Sequence, residues 1–164
     1  MDNKRLFVWA IALLAVGAVG LIASYAWLGG SLPGGTFSSA GQRIYYTGAD
    51  ASGPIPRTIS GMMGIGGMGA SACVDCHGED GRGGRVGTMF GGIDIPDIRY
   101  STLTASHTDA GASAPGWTDA DSARAIRDGV EPNGESLKPP MPRWAMTDTD
   151  LNDVIAYLKE LSRR

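Results

Sequence analysis

Cys73-Val74-Asp75-Cys76-His77 puts two thiols and an imidazole into a single short run. On a helical turn, residues three apart lie on one face. Both thiols can then add to the two vinyl groups along one edge of a haem, and the next residue can swing its imidazole beneath the iron. C-x-x-C-H is the signature of covalent c-type haem attachment. Cys73 and Cys76 are also the chain's whole cysteine complement, so a disulfide framework is excluded. A thioredoxin-like redox pair needs a strand–helix setting and no following histidine. A structural zinc site needs four ligands, and beyond these three only His107 remains among Cys and His. The motif therefore implies one covalent haem c.

Composition fits a chain with something other than side chains at its centre. Glycine accounts for 25 of 164 residues, roughly twice the ~7% average. Aromatic residues are scarce, so long loops and a thin apolar core are expected. The formal net charge is -3 and no basic stripe is present, which excludes nucleic acid as a partner.

Residues 1–28 read as a unit apart. Asp2-Asn3-Lys4-Arg5 precedes an uncharged, mostly apolar run from Leu6 to Leu28. As a helix this run spans ~35 Å, enough to cross a ~30 Å hydrocarbon core with some tilt. Trp9, Tyr25 and Trp27 stand where interfacial aromatic belts belong, and Lys4 and Arg5 keep the N-terminus cytoplasmic. The competing reading is a cleaved signal peptide with Ser24-Tyr25-Ala26 as its small-x-small site. The run exceeds the ~7–15 residues of a signal core, so a retained single-pass anchor through 6–28 is the reading adopted. Either way the remainder is exported, to the periplasmic or extracytoplasmic side. Residues 29–40 (GGSLPGGTFSSA) form a Gly/Ser/Pro linker, and 41–164 the globular domain.

Within that domain three helices are expected. Gly41–Tyr46 is short. Thr118–Gly129 has Thr118 and Asp121 at its start and Gly129 to close it. The last starts with Thr147 and Asp150 and carries one apolar stripe, Leu151, Val154, Ile155, Leu158 and Leu161. No alternating run suggests a strand, so the domain is expected to be all-α.

From here the chain resembles the class I c-type cytochromes over nearly all of 41–164. The motif continues as His77-Gly78-Glu79-Asp80-Gly81-Arg82-Gly83-Gly84, and the C-terminal stretches Met141-Pro142-Arg143-Trp144, Thr147-Asp148-Thr149-Asp150-Leu151 and Ala156-Tyr157-Leu158-Lys159 are also similar to theirs. The resemblance implies a cytochrome c fold around one covalent haem, with a Met-Pro loop before the last helix supplying the sixth iron ligand. It also implies that the terminal helix crosses an N-terminal helix bearing G-x-x-x-aromatic, here Gly41 to Tyr45, so that Tyr157 and Leu158 meet Gly41 and Tyr45. Two departures stand out. Thr47 to Ser71 separates the first helix from the motif, where the family has only a few residues. The proline shortly after the motif, whose carbonyl often accepts the proximal histidine N–H, is missing; the first after His77 is Pro96.

Met141 is the favoured sixth ligand, with His77 as the fifth. It lies in a Pro139-Pro140-Met141-Pro142 frame that stiffens the loop. His107, another methionine or an open position remain as alternatives. Met146 abuts the helix cap and is expected in the core. Met62, Met63 and Met68 belong to a Gly-Met segment read as an apolar flap, with a Cu(I) thioether site as the rival reading. Arg82, Arg85, Arg99, Tyr100 and Trp144 are candidates to donate to the haem propionates, Arg99 and Trp144 first.

A six-coordinate His/Met haem has no position for substrate, so electron transfer is expected rather than bond chemistry. The expected partners are a membrane redox complex (a quinol-oxidising enzyme, a terminal oxidase or a dehydrogenase), soluble electron carriers, or both. The alternatives are a haem enzyme or gas sensor with a labile sixth ligand, and an assembly subunit whose haem is structural.

Overall fold

Ser39 opens the first helix of the computed structural model, which describes residues 36–58, 71–88, 91–109 and 112–164. The Ser39 hydroxyl accepts from the Gln42 amide, and α1 runs from Ala40 to Thr47 before Gly48 closes it in the left-handed region at φ 63°. The expected helix is thus present and one residue longer at each end. From Phe37 onward the described residues belong to one compact unit, Phe37–Arg164, so residues 37–40 of the expected linker fold with the domain. The anchor at 6–28 and the Gly-Met segment with Met62, Met63 and Met68 lie outside the described residues. Among those described, no helix is long and apolar enough to cross a membrane.

The other helices are α2 (Val74–His77), α3 (Tyr100–Leu103), α4 (Asp119–Asp128) and α5 (Asp148–Leu161). Both longer ones begin in capping boxes: Thr118 with Asp121, and Thr147 with Asp150. Each hydroxyl accepts the amide three residues on, and each carboxylate accepts the threonine amide in return. The stripe on α5 is buried as expected, and Tyr157 joins it.

Glycine 41 lets α1 and α5 cross at close range. A Cβ there would fall on the Asp153 carbonyl and lie 3.0 Å from Tyr157 Cβ. The crossing buries Ile44 and Tyr45, and the Tyr45 and Tyr157 rings meet at 5.3 Å. The core divides either side of it. Ile44, Ile55, Trp144, Met146, Leu151, Val154 and Ile155 make one cluster; Tyr45, Tyr157, Leu158 and Leu161 make the other, with Cys73 and Val74 packed against it. Met146 is in the core, as expected.

The all-α expectation is corrected. Three two-stranded antiparallel ribbons join the helices: β1 (Arg57–Thr58) with β6 (Arg143–Trp144), β2 (Gly84–Thr88) with β3 (Gly91–Ile95), and β4 (His107–Asp109) with β5 (Ala112–Ala114). The last two each tie off a length of chain that leaves the helical frame and returns, whereas β1–β6 joins segments far apart in the chain. At the necks of these two excursions, and of the one that leaves α1 after Gly48, two backbones touch. Gly48 sits on the Ser71 carbonyl, Gly83 on that of Ile95, and Gly116 on that of Thr104, so closely that no Cβ would fit. The glycine richness is therefore partly the requirement of these necks.

Candidate functional site

The motif folds as one helical turn, and its own third residue, Asp75, holds the approach to that turn. The Asp75 carboxylate accepts from the Ser71 amide at 2.7 Å, the Ser71 hydroxyl at 2.9 Å and the Ala72 amide at 3.0 Å. Cys73 is the residue before α2, in helical backbone conformation, and its carbonyl accepts the His77 amide at 3.0 Å. Cys73, Cys76 and His77 thus share one turn. On the far side of the motif, the Tyr45 hydroxyl donates to the Gly78 carbonyl at 2.6 Å. This ties the aromatic of the G-x-x-x-aromatic helix to the residue after the histidine.

His77 is 6% exposed, and its Nδ1 lies 3.1 Å from the Pro96 carbonyl. A carbonyl can only accept, so Nδ1 carries the proton and Nε2 keeps its lone pair. Burial pushes the His77 pKa below its usual value, with the Pro96 bond working the other way, so the ring is neutral at physiological pH. Pro96 is thus the proline that seemed missing from the sequence. The β2–β3 ribbon makes the difference: Gly84 pairs with Ile95, so the chain from 84 to 95 ends where it began. The Gly83 amide donates to the His77 carbonyl at 2.9 Å and Ile98 to Gly81 at 2.8 Å, holding both sides of the neck. A signal for the ribbon is present in the sequence: Val86 and Thr88, then Ile93 and Ile95, recur at period two on either side of Gly91-Gly92.

The thiols are half-buried and unpaired by any disulfide. Burial pushes the Cys73 thiol up to about 12, and Cys76 is raised by burial and then by Asp75. A redox-active C-x-x-C needs the opposite, a thiolate stabilised near neutrality. Among the described residues no group of three or more His, Cys, Asp or Glu side chains could hold a metal ion. A neutral, sterically fixed imidazole beside two protonated thiols is a donor set suited to a haem with vinyl groups.

Met141 lies on another segment, half-buried, with Pro142 buried behind it and β6 two residues further on. The connection to the motif runs through Trp144, which is 2% exposed, and the Gly48 neck at Ser71. His107 is in β4. The propionate candidates are mostly committed elsewhere. Arg82 pairs with Asp80, Arg85 with Asp94 across the ribbon, and the Tyr100 hydroxyl donates to Asp119. Arg99 sends Nε and Nη2 to Asp97, the closest approach being 2.6 Å, and holds that carboxyl below its usual range. Trp144 is in the core beneath the Arg57 guanidinium.

Residues 67–162 match the family model for cytochrome c. No curated protein and no solved structure matches the chain. The match takes in the motif, Pro96, Met141 and all of α5, more than half of the chain. The chain therefore belongs to the cytochrome c family: it is a class I c-type cytochrome that carries covalent haem c, and its chemistry is haem-based electron transfer.

Proposed function

We propose that the protein is a membrane-tethered, single-haem electron carrier or cytochrome subunit, with thioethers at Cys73 and Cys76 and the iron between His77 and Met141. The observation that carries this reading is the state of His77. It is buried and neutral, its Nδ1 proton is spent on Pro96, and only the Nε2 lone pair is left to ligate. The bound haem supplies a one-electron iron couple. The chain's part is to hold the imidazole in one tautomer, keep water from it, and offer a thioether from a proline-framed loop. A saturated iron passes electrons instead of binding substrate, which sets this reading against a haem enzyme or gas sensor.

Carbon monoxide decides between them. At neutral pH it does not bind the reduced wild-type holoprotein, and it binds Met141→Ala. The weak sulfur-to-iron absorption band of the oxidised state is lost in Met141→Ala and retained in Met146→Ala. Fast carbon monoxide binding with peroxidase turnover in the wild type would favour the enzyme reading. Loss of the band in a His107 variant, but not in Met141→Ala, would move the sixth ligand to His107.

The tether rests on the run from Leu6 to Leu28 behind Lys4 and Arg5. It places the haem domain outside the cytoplasmic membrane, against a quinol-oxidising enzyme, a terminal oxidase, a dehydrogenase or a soluble carrier. A protein anchored in this way stays in the membrane fraction through high-salt and carbonate washes. A soluble mature chain beginning near Trp27 would replace the tether with a diffusible cytochrome.

A further inference from the structure

Gly48 and Ser71 are in contact, so the chain could pass from α1 to the motif without residues 49–70. The described part of that excursion is spent on one target, the segment that follows Met141. It begins as a self-contained turn: the Asp50 carboxylate accepts from Ser52 and Gly53 amides, and the Ile55 amide returns to the Gly48 carbonyl at 2.9 Å. Ile55, 4% exposed, then enters the core beside Trp144 and Met146. The Pro56 carbonyl accepts the Ala145 amide at 2.8 Å, Arg57 pairs with Trp144, and Thr58 with Arg143. At the other end, Gly48 touches both the Ser71 carbonyl and the rim of Trp144. One strap therefore grips the entry to the haem motif and the exit from the Met141 loop. The opposite side of that segment is held by α4, through Arg127 on the Met146 carbonyl and Arg143 on the Asp128 carbonyl.

We propose that Gly48–Thr58 is a clamp that sets how firmly Met141 stays on the iron, with Ile55 and Pro56 as positioning residues. The inference rests on Met141 being the sixth ligand. A thioether is a weak ligand whose hold depends on how far its loop can move. A strap anchored beside the motif limits that movement directly, where general packing would not. Ligand exchange should therefore respond to the strap more than overall stability does.

The test uses the oxidised, full-length holoprotein with imidazole as the competing ligand, reading the saturating rate of imidazole binding and the midpoint potential. Ile55→Val raises that rate about threefold and Ile55→Ala at least about tenfold, following the methylenes removed from the clamp. Leu161→Ala, an equally buried change in the other cluster, leaves the rate within about twofold. Should Ile55→Ala fail to fold, Ile55→Val carries the comparison. Rates unchanged in the Ile55 variants, or raised equally by Leu161→Ala, would overturn the clamp and leave Met141 as ligand. A sulfur-to-iron band that survives Met141→Ala would overturn both.

Discussion

Alanine at both Cys73 and Cys76 leaves a polypeptide with no covalent haem: its intact mass equals that of the chain, and acid–acetone extraction removes all the pigment. The wild type exceeds its chain mass by one haem, which survives the same treatment. The effect is all-or-none because the thioethers alone make attachment independent of ligand exchange at the iron. With them gone, retention becomes a binding equilibrium through the iron ligands, His77 and Met141 in the proposed ligation, and apparent stability then depends on haem concentration. The fold has further reason to respond. Cys73 packs against the cluster of Tyr45, Tyr157, Leu158 and Leu161, and its turn is closed by Asp75 and by Tyr45 on Gly78. Each single variant keeps one thioether and so keeps a covalent haem. Residual haem mass in the double variant would remove Cys73 and Cys76 from their assigned role.

The parts of this fold that are legible in the sequence are those settled by neighbours along the chain. The caps at Thr118 and Thr147 pair residues three apart, the α5 stripe repeats at helical spacing, and the motif occupies one turn. The crossing of Gly41 and Tyr45 with Tyr157 is long-range and was reached only through the family resemblance. What composition and periodicity missed lies in pairings between distant segments. Strand β1 has two residues and β6 two, too few to show alternation, and their partnership spans the whole motif region. Pro96 shows the cost most clearly. Read as spacing, it stands too far from His77 to serve; read through the ribbon that Gly84 and Ile95 close, it is adjacent. A count of intervening residues misleads wherever the chain between two points is a closed excursion. Arg99, a candidate donor to a propionate, sends Nε and Nη2 to Asp97, two residues away, a local pairing that its position in the sequence did not suggest.

The neck at Gly83 gives the second large effect. Gly83→Val should lower holoprotein stability by ~3–5 kcal/mol, through two penalties at one atom. The residue has φ 66°, which costs a side-chain-bearing L-residue ~1–2 kcal/mol. The new Cβ would also fall on the Ile95 carbonyl and within 2.6 Å of the Pro96 oxygen, both backbone atoms that cannot rotate aside. Relief requires the ribbon to shift at its first pair, and the Pro96 carbonyl shifts with it. His77 Nδ1–H then loses its acceptor. An imidazole that donates to a carbonyl is the more basic ligand and favours the oxidised iron. Without that bond the midpoint potential should rise, by on the order of 60 mV, the one-electron equivalent of a tenfold bias between oxidation states. Gly87→Ala is the control, since a Cβ at Gly87 meets nothing within 4 Å and the ribbon there is open to solvent. It should change neither quantity. Thermal unfolding and redox titration of Gly83→Ala, Gly83→Val and Gly87→Ala together separate the two consequences. A destabilised Gly83 variant with an unchanged potential would mean that the Pro96 carbonyl follows His77 when the ribbon moves, and that the hydrogen bond does not depend on the neck.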